Sequence, residues 1–457
     1  MARPNADVGH ILMAVLVDGF GAFGYRTRLW QGGSLTEPSR VEILNRRLAV
    51  EAWGKGSRTV QNGIAIVKDV YWVGVNDRRT PLFEGIWPIP RGVSYNSYLI
   101  VDDKVALIDA VKDLSVNGYL KKLKHMVGPG RQIDYLVINH LEPDHSGAVP
   151  ILKEMFPAMQ VVGNKKTAEF VKDLYQIADM RIVQDGEEID LGRRKLKFVL
   201  TPLVHWPETM MTYEPTDGIL FSGDAFGGFG TLDGAIFDDE VDLSYYEDEI
   251  LRYFSNIIGK YSPMVQKAIE KVAGLDIRIV ASTHGPVWRS HPRHIVNYYD
   301  RWSRQETEPG VVVAFGSMYG ATEKMADAVL RGLADGGLKA IRSHNVSTSH
   351  ASYIIRDAWR YKGLILGSPT YDAGVFPLMD SLLRLLSEKR IANRVVGLFG
   401  SYGWSGGAMK GMKSFVEETK LELIGPTVEA KFAATPEQIE QCHALGRAMA
   451  ERVRHSD

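Results

Sequence analysis

Tyr135-Leu136-Val137-Ile138 runs into His140-Leu141-Glu142-Pro143-Asp144-His145. The short apolar run reads as a buried strand. The six residues that follow Asn139 hold four potential metal ligands. Three more stand downstream, His205, Asp224 and His284, at successive gaps of 60, 19 and 60 residues from His145. Each again trails an apolar run: Phe198-Val199-Leu200, Ile219-Leu220-Phe221 and Ile277-Arg278-Ile279-Val280-Ala281. Ligands just past strand ends sit on loops held by a rigid scaffold, where chemistry is usually placed. Four strand ends can therefore face one site.

Imidazole and carboxylate suit iron, zinc or manganese. Imidazoles with a single Asp would favour zinc. The additional hard carboxylate of Glu142 moves the preference towards iron or manganese. Seven donors with one central carboxylate suffice for two metals. The competing reading is a helix-start loop carrying surface charges, and the preceding strands argue against it.

The C-terminal third carries an independent signal. Val311-Val312-Val313-Ala314-Phe315-Gly316 reads as a strand, Ser317-Met318-Tyr319-Gly320-Ala321-Thr322 as a loop, and Glu323 to Leu333 as a helix with Met325, Val329, Leu330 and Leu333 on one face. A small, hydroxyl-bearing loop at a helix N-terminus is an anion cradle, because backbone N–H groups and the helix dipole favour phosphate. A hydroxyl-rich helix cap without a ligand is the alternative. Two further strand-and-loop units follow. Leu364-Ile365-Leu366 leads into Gly367-Ser368-Pro369-Thr370-Tyr371-Asp372-Ala373-Gly374, and Val395-Val396-Gly397-Leu398-Phe399 into Gly400-Ser401-Tyr402-Gly403-Trp404-Ser405-Gly406-Gly407. Three loops at the carboxyl ends of parallel strands form the crevice where doubly wound folds bind ligands. Tyr371 and Trp404 offer flat faces to an aromatic ring. A dinucleotide fits less well, because no Gly-x-Gly-x-x-Gly opens this region.

Composition bounds the rest. The 457 residues suit two domains, each large enough for its own core. A hydrophobic fraction of 45% and a charged fraction of 24% are those of a globular chain. A net charge of −1 gives no reason to invoke nucleic acid. The lone Cys442 allows no internal disulfide and no rubredoxin or iron–sulfur module within this chain. The apolar Ile11 to Val17 is cut by Asp18, too short for the roughly 20 residues of a membrane span. Only Arg3 precedes it among basic residues, which argues against a secretory signal and for a cytoplasmic protein.

The pattern His-x-Glu-x-Asp-His followed by His, Asp and His resembles the flavodiiron proteins, and the three C-terminal loops resemble the FMN-binding segments of flavodoxin. The resemblance is nearly continuous from Val70 to about Met449. It implies an α/β chain: a metallo-β-lactamase-like αβ/βα sandwich over 61–305, then a flavodoxin-like doubly wound parallel sheet over 310–457. Residues 1–60 would be an extension of unknown role, and 304–310 the linker. By the resemblance, His140, Glu142 and His205 hold one iron, Asp144, His145 and His284 face the other, and Asp224 bridges them. For His145, packing behind the ligands as a core histidine remains the alternative. FMN would place its phosphate in the first loop and its isoalloxazine between the other two.

The implied activity is reduction of dioxygen to water, or of nitric oxide to nitrous oxide. Electrons would pass through FMN from rubredoxin or a similar carrier, or from a reduced deazaflavin as in some archaeal relatives. The implied assembly is a head-to-tail homodimer or a dimer of dimers. Tyr253, in Leu251-Arg252-Tyr253-Phe254-Ser255-Asn256, matches a family tyrosine on the substrate side of the diiron site, where a phenol can donate a hydrogen bond. Simple packing on an amphipathic helix is the other reading. The chain departs from several relatives at Phe83-Glu84-Gly85, where they have Phe-His-Gly. Glu84 would change the charge near the pocket. Two other functions compete: a binuclear metallohydrolase, which Glu142 and the flavin loops oppose, and an electron-transfer flavoprotein with a vestigial metal site, which the complete ligand set opposes.

Overall fold

The computed structural model describes residues 63–113 and 116–455. The extension 1–60, with Ile11 to Val17, lies outside the described residues. The first αβ part is built on two facing sheets. One orders the strands Ile64–Val67, Val70–Trp72, Tyr98–Val101, Val105–Ile108, Tyr135–Val137, Gln160–Gly163 and Met180–Ile182. Pairing is antiparallel up to Val105–Ile108 and parallel from there on. The other sheet orders Glu188–Asp190, Lys195–Leu200, Met210–Glu214, Ile219–Phe221 and Ile279–Ala281. Its last pair is parallel. Apolar side chains alternate towards the space between the sheets, so Trp72, Tyr98, Ile108 and Val137 of the first meet Leu196, Phe198, Met210 and Phe221 of the second in one buried core. This is an αβ/βα sandwich, and all four ligand-bearing strands read from the sequence are present in it.

The second part is a parallel sheet in the order Ile341–Asn345, Glu308–Phe315, Tyr361–Tyr371, Val395–Tyr402 and Glu422–Leu423, with Val428–Lys431 also alongside Val395–Tyr402. The order reverses between Glu308–Phe315 and Tyr361–Tyr371, which makes the switch point of a doubly wound fold. Helices cover both faces, and each face has its own buried cluster. Three strands run further than the sequence suggests, and in one of them Gly400, Ser401 and Tyr402, read as loop, continue Val395–Tyr402 beside Val428–Lys431. Gly367 to Tyr371 continue the third strand, held by parallel pairing with Val395–Tyr402 and by the short strand Gly374–Val375. Glu308, Pro309 and Gly310, within the 304–310 segment, already belong to the first strand of this sheet.

The two parts are joined through a buried polar seam. The helix Leu243–Tyr253 passes directly into a π-helical turn, Phe254–Ile258. Arg252, fully buried, pairs with Glu249 and donates to the Pro88 carbonyl at 2.8 Å and to Ser352 Oγ at 3.3 Å. Asn256 donates to the Ser352 carbonyl at 3.1 Å, Trp359 Nε1 to the Trp302 carbonyl at 3.0 Å, and Lys389 to the Asn256 carbonyl.

Candidate metal and flavin sites

Each ligand loop leaves its strand and turns at once into the space between the sheets. His140 follows Tyr135–Val137, and its loop is pinned by Asp109, which accepts from the backbone N–H of Asn139 at 2.7 Å and from its side-chain amide at 3.0 Å. Glu142 precedes the short helix Pro143–Ser146, which carries Asp144 and His145. His205 follows Lys195–Leu200 in a loop whose Val204–His205 peptide bond is cis. Asp224 follows Ile219–Phe221, and His284 follows Ile279–Ala281.

The seven side chains converge in two groups, His140, Glu142, His205 and Asp224, and Asp144, His145 and His284. Asp224 touches both. Its Oδ2 stands 3.1 Å from His205 Nε2 and 3.5 Å from His140 Nε2. Its Oδ1 stands 2.9 Å from His145 Nε2 and 3.8 Å from His284 Nε2. Glu142 Oε2 lies 3.2 Å from His140 Nε2 and 3.1 Å from His205 Nε2. His145 does not pack behind the others: its Nε2 faces that of His284 at 3.1 Å.

The donor atoms fit metal ions. His284 Nδ1 lies 2.7 Å from the Ser94 carbonyl, so Nδ1 carries the proton and Nε2 presents a lone pair. His140 Nδ1 in the same way gives its hydrogen to Glu208 Oε1 at 2.9 Å. These lone pairs point at carboxylate oxygens and, for His284, at another imidazole. Both oxygens of Asp144 are buried without a hydrogen-bond partner, the nearest imidazole nitrogens being 3.4 Å away. Lone pairs converging in a buried space need cations between them. Protons are the competitors. Burial opposes charging of His145 and His205, but neighbouring carboxylates, chiefly Asp144 and Asp224, push each up to about 9. Burial likewise opposes ionisation of Asp224, yet the imidazoles of His145 and His140 hold it well below the usual carboxylate range.

The wall beside His284 is aromatic. Phe83, Tyr95 and Tyr253 approach its ring with centroids at 5.6, 5.8 and 5.4 Å. Tyr253 is fully buried and its hydroxyl has no hydrogen-bond partner. Burial, then the charge of Asp224, raises that phenol well above its ordinary value, so it stays a donor. Glu84 is solvent-exposed as a residue, but its carboxyl accepts from Trp87 Nε1 at 3.0 Å. Partial burial, then the charge of Glu142, raises its pKa.

At the switch point of the second part, the helix Ala321–Asp335 begins after Gly320, which takes φ +89° and offers no side-chain cap to the first-turn N–H groups. Ser317 Oγ accepts from the Gly320 N–H at 3.1 Å. Thr322 is buried in that first turn. The second and third loops press together: a Cβ on Gly407 would lie 2.0 Å from the Ala373 carbonyl, and Thr370 Oγ1 accepts from the Ala408 N–H at 3.1 Å. Tyr371 is 45% exposed and Trp404 89% exposed, so both ring faces are open. Uncapped N–H groups, hydroxyls and two open aromatic faces are the parts an aromatic phosphate ester needs. Ser94, Glu208 and Thr283, which back the metal-facing side chains, were not among the residues read from the sequence.

Residues 93–285 match the family model described as ODP family beta lactamase, and residues 313–446 match the flavodoxin model. The chain is 36% identical to a nitric oxide reductase from Moorella thermoacetica over 398 residues, spanning 85% of this chain and 98% of that protein. It superposes on the rubredoxin oxygen:oxidoreductase of Desulfovibrio gigas with a TM-score of 0.82 and 28% identity, over 86% of this chain and 98% of that one. The flavodiiron protein of Giardia intestinalis gives a TM-score of 0.82 and 30% identity, over 87% of this chain and 98% of that one.

Proposed function

This chain belongs to the flavodiiron proteins, and on that premise we propose that it reduces dioxygen to water or nitric oxide to nitrous oxide at two non-haem irons supplied with electrons through FMN. The observation that carries the reading is the division of Asp224, one oxygen towards each donor group. When bound, the two irons and the flavin supply the electron-transfer chemistry, and the protein supplies binding, orientation and electrostatics.

In this reading His140, Glu142 and His205 hold one iron, Asp144, His145 and His284 the other, and Asp224 bridges. Phe83 and Tyr95 keep water from the face beside His284. Tyr253 offers its unpartnered hydroxyl to a small diatomic substrate or its reduction product, as a hydrogen-bond donor. Ser317 to Thr322 take the FMN phosphate, and Pro369 to Gly374 and Ser401 to Gly407 flank the ring system. A hydrolase would have no use for those loops. The two αβ parts are assigned to residues 61–305 and 308–457, the second opening with the strand Glu308–Phe315.

We further propose a head-to-tail dimer. Among the described residues, the hydrogen bonds and ion pairs across the seam come from the neighbourhoods of Asp248–Asn256 and Trp302–Gln305 on one side, and of Ser352–Arg360 and Lys389–Arg394 on the other. None comes from the three flavin loops. Their mouth is therefore free to face the irons of a second chain, and a closed two-fold dimer is the commonest assembly. The external donor is a small reduced carrier of the rubredoxin kind, and the protein acts in the cytoplasm.

The deciding experiment is anaerobic stopped-flow of the fully reduced protein against each gas, with iron and FMN counted beforehand. Rapid reoxidation by dioxygen, nitric oxide or both is expected, and the ratio of the two turnover rates fixes the substrate. A protein with two irons and FMN that neither gas reoxidises would refute the function.

A further inference from the structure

The two donor groups are alike in kind. Each has two imidazole Nε2 atoms, one carboxylate of its own and one oxygen of Asp224. Nothing in that set distinguishes one metal from the other. The difference lies behind the donors. His140 gives its Nδ1–H to Glu208, a fully buried side chain whose Oε1 also accepts the Leu141 N–H at 2.9 Å. On the other side, His284 gives its Nδ1–H to a neutral backbone carbonyl, and His145 Nδ1 has no partner. Among the described hydrogen bonds, no other imidazole of the four donates through Nδ1 to a carboxylate. An imidazole backed by a buried anion is a more basic and more electron-rich ligand than one backed by a carbonyl.

The bridge is uneven as well, by an independent contact. Thr283 Oγ1 donates to Asp224 Oδ1 at 2.6 Å, the oxygen on the His145 and His284 side. A hydrogen bond to a carboxylate oxygen draws electron density from it and weakens it as a ligand. The oxygen facing His205 and His140 carries no hydroxyl of this kind among the described contacts. Both effects act in one direction: Glu208 enriches the His140 side, and Thr283 depletes the other.

We propose that Glu208 and Thr283 are positioning residues that make the two irons unequal, so that the iron on the His140 group is the harder to reduce and stays ferric when the pair holds a single added electron. This rests on the two-iron reading above. Each step adds one electron, delivered by the reduced flavin, to one ferric ion, and no bond forms or breaks.

The test uses the full chain loaded with the Mössbauer isotope of iron. Iron is counted first, and the protein is then reduced stepwise without oxygen and followed by Mössbauer spectroscopy, which does not see the flavin. Wild type should pass through a half-reduced stage with one ferric and one ferrous signal. Glu208→Gln, which keeps the shape and removes the charge, should narrow the separation by making the His140-side iron easier to reduce. Thr283→Val should narrow it from the other side, by making its iron harder to reduce, and Thr283→Ser should restore it. Should Glu208→Gln fail to hold iron, the Thr283 pair, which leaves every ligand in place, decides. Two irons per chain that reduce together with no half-reduced stage, or a separation unmoved by Thr283→Val, would overturn the proposal. An iron count near zero would instead sink the two-iron reading, and this one with it.

Discussion

Thr322 Oγ1 lies 2.9 Å from Ser401 Oγ, so the buried hydroxyl at the end of the first flavin loop touches the opening residue of the third. The contact joins the two loops at the base of the crevice, next to the uncapped first turn of Ala321–Asp335. Replacing Thr322 by Ala removes one donor to a bound phosphate. FMN should bind roughly tenfold more weakly, about 1.4 kcal/mol. Fluorescence titration of the flavin-stripped protein measures this. Unchanged affinity would exclude Thr322 from the phosphate site.

Asp224→Ala should cost at least one of the two irons, because its two oxygens serve both groups. Metal analysis of the purified variant reads the loss. Both irons at full occupancy would remove Asp224 from the bridging role.

Loss of metal should also change how stability follows pH. In the metal-stripped protein, His145 and His205 sit near 9 against an ordinary value of 6.5. A raised folded value means stabilisation that is fully present below about 6.5 and lost as pH rises through about 9. The urea midpoint of stripped protein should therefore fall across that window, and the midpoint of iron-loaded protein should fall less. Parallel curves for the two forms would contradict the proton–metal competition.

Arg252 is fully buried against Glu249, Pro88 and Ser352. Arg252→Met would leave Glu249 buried without its partner, at a cost of roughly 3–5 kcal/mol. Chemical denaturation with both far-UV and flavin signals tests this. A loss under about 1 kcal/mol would mean that the seam relaxes around the substitution.

A mixed dimer tests the assembly. One chain carries Asp224→Ala and lacks a complete iron site, while the other has Gly320 and Thr322 substituted and lacks FMN. The head-to-tail arrangement predicts that heterodimers regain one working pair and part of the reductase activity. Demonstrable heterodimers without activity would place electron transfer within one chain.

Much of the site was legible because each ligand follows a strand, and strands announce themselves as apolar runs. His140, His205, Asp224 and His284 all stand just beyond one. Glu208 escaped because a lone Glu after Trp206-Pro207 has no spacing signal. Ser94 escaped because it acts through its backbone carbonyl, which no sequence pattern encodes. Thr283 was hidden beside His284, where a hydroxyl reads as ordinary loop. Gly367-Ser368-Pro369 read as loop, yet parallel pairing carries the strand to Pro369, and antiparallel pairing with Gly374–Val375 carries it on to Tyr371. Local propensity yielded there to tertiary pairing.

The π-helical turn Phe254–Ile258 fixes the phase of a whole segment. Just upstream, Tyr253 turns its ring to His284, and within the turn Asn256 and Phe254 meet Ser352 and Trp359 across the seam. An α-helical residue advances the helix by about 100°, so removing a single residue from the wide turn would swing one of those two faces away from its partner. Insertions or deletions between Arg252 and Gly259 are therefore the changes that separate the metal pocket from the flavin-bearing half.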